Sequence, residues 1–277
     1  MRHENMIEST FFQEMIQLTS NLYRLGWDER NGGNISYLLS KEEAVLMDGY
    51  KVKRVIPMSF DASALHGRSF LVTGSGVYFK NVASSPEKSL GLIRVSDDGT
   101  FLELLWGLEG DGMPTSELPT HLMSHIERLK KDSQHRVIIH CHATHLIAMT
   151  FTHPLDEEKL TKTLWQMCTE CIVVFPEGVG VIPWMVPGTD AIGKATSAKM
   201  QAVRAVIWPH HGIFASGKDL DEAFGLIETM EKAAEVYTLT CVQGGMKQTI
   251  TDDQLYELAC TFNVEPREGI LQCLSDR

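Results

Sequence analysis

The chain has 277 residues, of which 43% are hydrophobic and 22% charged, so it can fold around a substantial core without disulfides. This composition excludes a disordered, collagen-like or coiled-coil chain, and no apolar run approaches the roughly 18 residues of a membrane span. The formal net charge of −11, from 25 Lys and Arg against 36 Asp and Glu, argues against nucleic acid or an anionic membrane as a partner.

The start of the chain lacks a basic stretch followed by an apolar segment, so we expect no secretory signal and a cytoplasmic location. No repeat or linker divides the sequence, and we expect a single domain over residues 1–277.

Helices are predicted over 4–25, 115–129, 156–169, 190–201, 219–242 and from 251. In the first of them, apolar residues recur three and four positions apart. Gly26 is expected to end the first helix, and Thr115 or Ser116 to cap the second. The pairs Asp219/Glu222 and Thr251/Gln254 have the spacing of capping boxes.

Strands are predicted over 68–72, 90–95, 101–106, 136–142, 172–175 and 203–208, of which 136–142 and 172–175 are β-branched runs. The segment Ser96-Asp97-Asp98-Gly99 is typical of a hairpin turn between two of them. Because a hairpin joins antiparallel strands, we expect an α/β or α+β layered domain with a mixed or mostly antiparallel sheet.

The six cysteines are expected to be reduced: Cys141, Cys168, Cys171, Cys241, Cys260 and Cys273. Cys168 and Cys171 form a lone CxxC, a weak sign of a metal site because no second ligand pair lies nearby. We interpret both as small, half-buried side chains beside the strand predicted over 172–175.

His140 and His142 are the strongest local signal of a metal site. They end a predicted strand, and because strand side chains alternate between faces, both imidazoles should point the same way. A third ligand could come from His210 or His211 after the strand 203–208. Three histidines with an open fourth position are typical of catalytic zinc, but spacing alone leaves ordinary hydrogen-bonded histidines as an equal alternative. No role is predicted for the remaining histidines: His3, His66, His121, His125, His135, His145 and His153.

Glu117 lies at the start of a predicted helix, where the helix dipole favours a carboxylate and where a general acid/base could also stand. Thr115 and Ser116 beside it offer hydroxyls and free backbone N–H groups to an anion. Two glycine turns, Asn31-Gly32-Gly33-Asn34 and Thr73-Gly74-Ser75-Gly76, could form anion nests, although such turns are more often only turns.

Together these segments resemble the class II aldolase/adducin family from about Phe11 to about Val264, in the same order and spacing. They are WDERNGGNIS, FLVTGSGVYF, PTSELPTHLMSHIERLK, VIIHCHATHLIAMT, TECIVVFPEGVGVIPWMVPGTDAIG and WPHHGIFASG with the following DEAFGLIETMEKAAEV. The segments WDERNGGN, LLWGL and VVFPEGVG with PWMVPGTD are more similar to the rhamnulose branch of the family than to its fuculose or ribulose branches.

The resemblance implies a three-layer α/β/α sandwich with a largely antiparallel mixed sheet, assembled as a homotetramer with active sites between subunits. It implies one Zn²⁺ per subunit, with His140, His142 and His211 as ligands. Glu117 is implied as the acid/base, or as a fourth ligand without substrate, and Glu170 as a second carboxylate that reaches a neighbouring subunit's site. The phosphate and dihydroxyacetone part of the substrate is implied to contact Asn31, Gly32, Asn34, Ser75, Gly76, Thr115 and Ser116.

The implied reaction is the reversible cleavage of the C3–C4 bond of a ketose 1-phosphate, with the metal as a Lewis acid and without a Schiff-base lysine. One alternative is a sister enzyme of the same scaffold, a fuculose-phosphate aldolase or a pentulose-phosphate 4-epimerase. The other is a non-catalytic, adducin-like interaction module, which would be expected to lack the histidines or Glu117 that this chain retains.

Overall fold

A computed structural model of the protein describes residues 6–272. Its strands are β1 (Asn34–Leu38), β2 (Arg54–Pro57), β3 (Ser69–Thr73), β4 (Leu90–Val95), β5 (Phe101–Gly107), β6 (Val137–Cys141), β7 (Gly180–Val181), β8 (Ala205–Trp208) and β9 (Gly212–Gly217). Its α-helices are α1 (Thr10–Leu25), α2 (Lys41–Ala44), α3 (Pro86–Ser89), α4 (Leu118–Lys131), α5 (Thr144–Thr152), α6 (Glu157–Met167), α7 (Cys171–Val174), α8 (Asp190–Lys199), α9 (Leu220–Val242) and α10 (Asp252–Phe262).

Within residues 6–272 the nine strands form one sheet in the order β2-β5-β4-β3-β1-β6-β9-β8-β7. All neighbouring pairs in this part of the chain are antiparallel except β7–β8, which confirms the predicted mixed, largely antiparallel sheet. The Ser96–Gly99 hairpin is also confirmed, with Gly99 at φ 71°. The central strands β1 and β6 place Asn34 opposite His140.

Helices cover both faces of the sheet, which confirms the α/β/α arrangement. On one face, side chains of α1, α5, α6, α9 and α10 form one hydrophobic cluster with the residues of β1 and β6 that point toward them, such as Ile35 and Ile139. On the other face, α4 and α8 pack against residues such as Phe70 and Ile138. Each fully buried aliphatic or aromatic side chain contributes roughly 1.5–3 kcal/mol to folding. Because side chains alternate between the two faces of a strand, Asn34, Ser36 and His140 point away from Ile35 and Ile139 and toward α4.

The helix boundaries confirm some predicted caps and correct others. Gly26 ends α1 in the left-handed conformation, as expected, but residues 8 and 9 interrupt the predicted helix, so that Met6 and Ile7 are helical ahead of α1, which begins at Thr10. The expected helix residues 4 and 5, together with His3 and Cys273, lie outside the described residues. The capping box of α10 is complete, with Thr251 and Gln254 each bonded to the other's backbone.

Only one of the two hydrogen bonds of the capping box predicted for α9 is formed. Asp219 accepts a hydrogen bond from the backbone N–H of Glu222, whereas the Glu222 carboxylate accepts from Lys218 instead of from Asp219. The prediction that Thr115 or Ser116 caps α4 was wrong. That helix begins at Leu118, with Glu117 in the N-cap position, because Thr115 is held by a bridge to β3.

The strand predicted over residues 172–175 was also wrong, because this β-branched run forms the single helical turn α7. The carbonyl of Glu170 accepts hydrogen bonds from Val173 and Val174, and β7 rather than this segment pairs with β8 at the edge of the sheet. Both cysteines are free thiols, and Cys168 is half-buried as predicted, whereas Cys171 is fully buried as the first residue of α7.

None of the helices within residues 6–272 combines the length and the hydrophobicity of a membrane-spanning segment.

Candidate active site

Three imidazoles meet at one end of the central strands. His140 lies in β6, His142 follows this strand, and His211 lies in the turn between β8 and β9. One ring nitrogen from each lies within 4.8 Å of the others, a spacing that allows all three to bind one metal ion. The antiparallel pairing of β6 with β9 creates this cluster, because it brings the β8–β9 turn beside the end of β6.

The turn between β8 and β9 separates the roles of its two histidines. His210 adopts a left-handed conformation at φ 62°, and its backbone N–H donates to the Thr150 hydroxyl at 3.0 Å. Its ring also lies against Thr150, away from the cluster, which leaves His211 as the third member. Gly212 is required next to it, because a Cβ there would lie 2.3 Å from the carbonyl oxygen of Cys141.

The ring hydrogen bonds leave one nitrogen of each strand histidine free. His140 Nδ1 lies 3.0 Å from the carbonyl oxygen of Ile213, to which it donates, and His142 Nδ1 lies 2.7 Å from Glu29 Oε1. The Nε2 atoms of His140 and His142 have no hydrogen-bond partner among the described residues. Two orphaned imidazole nitrogens that converge with a third fit the donor set of a catalytic zinc ion.

Burial keeps two of these imidazoles neutral. Loss of solvent, followed by the neighbouring rings of His211 and His142, holds the pKa of His140 well below its usual range. The same two effects, burial and the ring of His142, lower the pKa of His211 to about 4. Neutral imidazole is the form that binds a metal, so neither ring needs to lose a proton first near neutral pH.

A buried carboxyl group lies beside the imidazoles. Glu117 Oε2 is 3.6 Å from His140 Nε2 and accepts a hydrogen bond of 2.8 Å from the Asn34 amide. Its side chain is 9% exposed, and burial raises its pKa to about 7 in spite of the hydrogen bond from Asn34. A carboxyl with such a pKa can both accept and deliver a proton near neutral pH.

The loop Asn31–Asn34 packs directly on this cluster. A Cβ on Gly32 would lie 2.6 Å from two atoms of the His142 ring, so any residue larger than glycine would clash with this ring in its observed position. The backbone N–H of Gly33 donates to the carboxylate of Asp28, whose pKa is raised to about 7 mainly by burial. Asn31 at the other end of the loop is exposed.

The other two predicted anion-binding segments lie side by side. The N–H of Ser75 donates to the carbonyl of Met113 at 2.7 Å, and that of Thr115 donates to the carbonyl of Thr73 at 3.0 Å. Ser75, Gly76 and Ser116 remain exposed. A cavity of about 330 Å³ opens between Ser75 and Thr115, with apolar walls from residues such as Met113.

Glu170 stands apart from these residues. It is exposed and precedes α7, and the described structure records no contact between its side chain and the three histidines. Its predicted role in the site of a neighbouring subunit therefore stays a prediction.

The structure also places near the site residues to which no role was assigned. His121, His125 and His135 are fully or almost fully buried. His121 bonds to Asn34, Ser36 joins His121 to His125, and His125 bonds to His135. One signal in the sequence could have found two of them, since Glu117, His121 and His125 recur every four residues and so share one face of a helix.

This fold, with three converging imidazoles beside a buried carboxyl, defines a class of protein that the sequence comparisons identify independently. The model of the "Class II Aldolase and Adducin N-terminal domain" family matches residues 13–238. The chain belongs to this family.

Relatives within the family are similar over nearly the whole chain. A rhamnulose-1-phosphate aldolase from Listeria monocytogenes is 61% identical over 269 residues, which cover 97% of this chain and 98% of the relative. One from Enterococcus faecalis is 60% identical and covers 97% and 96% respectively. The crystal structure of a sugar-phosphate aldolase from Thermotoga maritima superposes with a TM-score of 0.73 at 31% identity, covering 84% of this chain and 95% of that one.

Proposed function

We propose that the protein catalyses the zinc-dependent, reversible cleavage of L-rhamnulose 1-phosphate to dihydroxyacetone phosphate and L-lactaldehyde, in L-rhamnose catabolism. The observation that carries this proposal is the convergence of three imidazoles beside a buried carboxyl, with Glu117 3.6 Å from His140. The choice of substrate is supported by the relatives called rhamnulose-1-phosphate aldolases, which match 97% of the chain.

His140, His142 and His211 would hold one zinc ion per subunit. When bound, zinc would supply a Lewis acid that stabilises the negative charge left on the substrate oxygens after the C3–C4 bond breaks. Hydrogen bonds to Ile213 and Glu29 fix the rings of His140 and His142, so their Nε2 atoms would already be oriented for binding in the metal-free protein.

Glu117 would move the proton at carbon C3. In cleavage its carboxylic acid delivers a proton to this carbon, and in aldol synthesis its carboxylate removes it. A pKa of about 7 suits both directions, because the two forms of the carboxyl are then similarly populated near neutral pH. The Asn34 amide holds Oε2 in place during this exchange.

The dihydroxyacetone phosphate part of the substrate would be bound by the three loops around the site: Asn31, Gly32, Asn34, Ser75, Gly76, Thr115 and Ser116. The exposed Ser75, Gly76 and Ser116 offer hydroxyl and backbone N–H donors beside the cavity. Such donors act over short distances, so they can bind a phosphate although the protein carries a net charge of −11.

The assembly we propose is a homotetramer in the cytoplasm, with Glu170 completing the active site of a neighbouring subunit. Glu170 would handle the proton on the oxygen that becomes the aldehyde. The Glu170 side chain is exposed and, within residues 6–272, makes no recorded contact with the three histidines of its own chain, which agrees with this role. A cytoplasmic location suits a phosphorylated sugar, which does not cross a membrane unaided.

A coupled assay tests the proposed function. Purified protein is incubated with L-rhamnulose 1-phosphate, and dihydroxyacetone phosphate is followed with and without a chelator and added zinc. We expect release that chelation abolishes and zinc restores. L-Fuculose 1-phosphate serves as the matched substrate, and faster cleavage of it by the zinc-loaded protein would contradict the choice of sugar.

A further inference from the structure

A row of buried hydrogen bonds leads away from Glu117 into the protein. It runs through Asn34, His121, Ser36, His125 and His135, which are all at most 6% exposed. The Ser36 hydroxyl lies 2.7 Å from His121 Nδ1 and 2.8 Å from His125 Nε2, and His125 Nδ1 lies 2.9 Å from His135 Nε2. His121 Nε2 bonds to the Asn34 amide oxygen, and the Asn34 amide nitrogen bonds to Glu117.

Two regular elements build this row. Glu117, His121 and His125 follow one another at four-residue steps along the face of α4 that meets the sheet. Asn34 and Ser36 alternate on the face of β1 that meets α4. The side chains of helix and strand therefore interdigitate, and each polar group finds its partner on the other element.

The chemistry of the end group gives the row a direction. A Glu117 carboxylate only accepts hydrogen bonds, so the Asn34 nitrogen faces it and the Asn34 oxygen faces His121. His121 then donates from Nε2 and accepts at Nδ1 from the Ser36 hydroxyl. Because the Ser36 hydroxyl donates to His121, its oxygen accepts from Nε2–H of His125. Nδ1 of His125 is then an acceptor, and it accepts from Nε2–H of His135.

Burial supports this single arrangement of protons. It lowers the pKa of His121 and of His135 to about 3 and that of His125 well below its usual range, so all three rings are neutral. A neutral imidazole has one donor and one acceptor, which is what each internal link needs. Such a network is not required for stability, because apolar side chains of similar volume can replace buried polar groups at little cost.

We propose that Ser36, His121, His125 and His135 are positioning residues, which fix the orientation of the Asn34 amide and thereby aim the Glu117 carboxylate at the reacting carbon. This inference rests on the proposed function, in which Glu117 moves the proton at C3.

Ser36→Ala tests the inference by cutting the row at its middle. The matched control is Ser216→Ala, since Ser216 is an equally buried strand serine whose hydroxyl has no hydrogen-bond partner among the described residues. We expect kcat of the first variant to fall about tenfold or more, with KM changed less than about threefold and zinc content unchanged. The control should keep its kcat. An unchanged kcat in folded, zinc-loaded Ser36→Ala protein would overturn the inference.

Exchange of hydrogen at C3 of dihydroxyacetone phosphate with D₂O, without any aldehyde, isolates the step assigned to Glu117. Ser36→Ala should slow this exchange by the same factor as kcat. Exchange at the normal rate in this variant would overturn the inference. If the unmodified protein exchanges this proton but does not cleave L-rhamnulose 1-phosphate, the choice of sugar is wrong and the positioning role is still judged by exchange. If it does neither, the proposed function itself is overturned.

A second variant covers the case in which Ser36→Ala does not fold. His135→Phe keeps a ring against His125, whose centroid lies 4.9 Å away, but removes the last donor of the row. We expect a smaller fall in kcat, by about threefold or more, at unchanged zinc content. Independently of any substrate, ¹⁵N shifts should show His121 as a neutral Nε2–H tautomer. An Nδ1–H tautomer would overturn the inference, because its Nε2 could not donate to Asn34.

Discussion

At the scale of single residues, burial gives the site most of its chemical properties. Desolvation raises the pKa of Glu117 and lowers that of His140, so the acid can hold its proton while the base stays neutral. Two groups 3.6 Å apart would form an ion pair in water, whereas here both can remain uncharged. Among the described residues, the Nε2 atoms of His140 and His142 have no hydrogen-bond partner, and these are the atoms expected to bind the metal.

Glu117→Gln should separate metal binding from proton transfer. The amide keeps the size of the side chain but cannot exchange a proton, and none of the three histidines is altered. We expect unchanged zinc content and a loss of kcat of about 100-fold or more. Metal analysis and the cleavage assay check this, and a rate close to that of the unmodified protein would remove Glu117 from its role.

The same variant should change how the stability of the metal-free protein depends on pH. Folding raises the pKa of Glu117 from 4.5 to about 7, so ionisation favours the unfolded state, and this destabilisation grows from pH 4.5 to pH 7 and persists above. Glu117→Gln should therefore stabilise the protein by about 3 kcal/mol more at pH 8 than at pH 4. Urea unfolding at fixed protein concentration measures the difference, and equal gains at both pH values would contradict the burial argument.

Gly32→Ala should weaken metal binding through the position of one ring. The added Cβ would lie 2.6 Å from the His142 imidazole and displace it, and we expect zinc affinity to fall about tenfold or more. Gly225→Ala is the matched control, because a Cβ there meets nothing within 4 Å and replaces a glycine inside α9. The control should bind zinc normally and gain up to about 1 kcal/mol of stability. Similar zinc affinity in both variants would be evidence against the steric role.

At the scale of secondary structure, local signals predicted elements well wherever a cap or turn residue marks them. Gly26, the Ser96–Gly99 turn and the Thr251 capping box all lie where expected, because their hydrogen bonds are made within a few residues. The run 172–175 misled the prediction, since β propensity reflects packing against neighbouring strands, and here β7 rather than this run pairs with β8.

Some structure near the site depends on contacts between distant residues. Helix α5 begins just after His142, and its N-cap residue Ala143 has no side chain to bond the first N–H groups. Glu231 of α9 supplies this cap, accepting from the backbone of His145 and Leu146 at 2.9 Å each. No local pattern could reveal a cap that lies 86 residues away.

Glu231→Ala should destabilise the fold by about 1–3 kcal/mol, because it leaves buried N–H groups at the start of α5 without an acceptor. Glu235→Ala, one turn further along α9, is the matched control. Within residues 6–272 its carboxylate pairs with the exposed Lys232, and because solvent screens such a pair, its loss should leave the stability almost unchanged. Urea unfolding of both zinc-loaded variants provides the comparison, and equal losses would show that Glu231 does not act as the cap.

At the scale of the whole molecule, the site joins segments from most of the sequence. Asn34, Glu117, His140 and His211 come together because β1 and β6 are neighbours and α4 packs across them. The strand-end histidines and the glycine turns could be recognised in the sequence. Their convergence could not be derived from local patterns, because it depends on a sheet order that skips along the chain. The row behind Glu117 depends on the same sheet order, because Asn34 and Ser36 of β1 face α4, and only the four-residue spacing of Glu117, His121 and His125 is visible in the sequence.

Mixing two inactive variants tests the proposed role of Glu170 across subunits. If each site combines Glu117 of one subunit with Glu170 of its neighbour, equal amounts of Glu117→Ala and Glu170→Ala protein, after subunit exchange, should form mixed tetramers in which about a quarter of the sites are intact. Cleavage activity should return to that level. Absence of any recovery, although mass spectrometry shows mixed tetramers, would place both carboxylates in the same chain.

The sheet offers little backbone for edgewise pairing in the described part of the chain. Its outer strands β2 and β7 are four and two residues long, and β2 ends at Pro57, which has no N–H to donate. Molecules that meet in concentrated solution therefore find no long, regular strand to extend. Self-association is directed instead to helices and loops, where side chains select the partner, and the short edges protect the protein against β-aggregation.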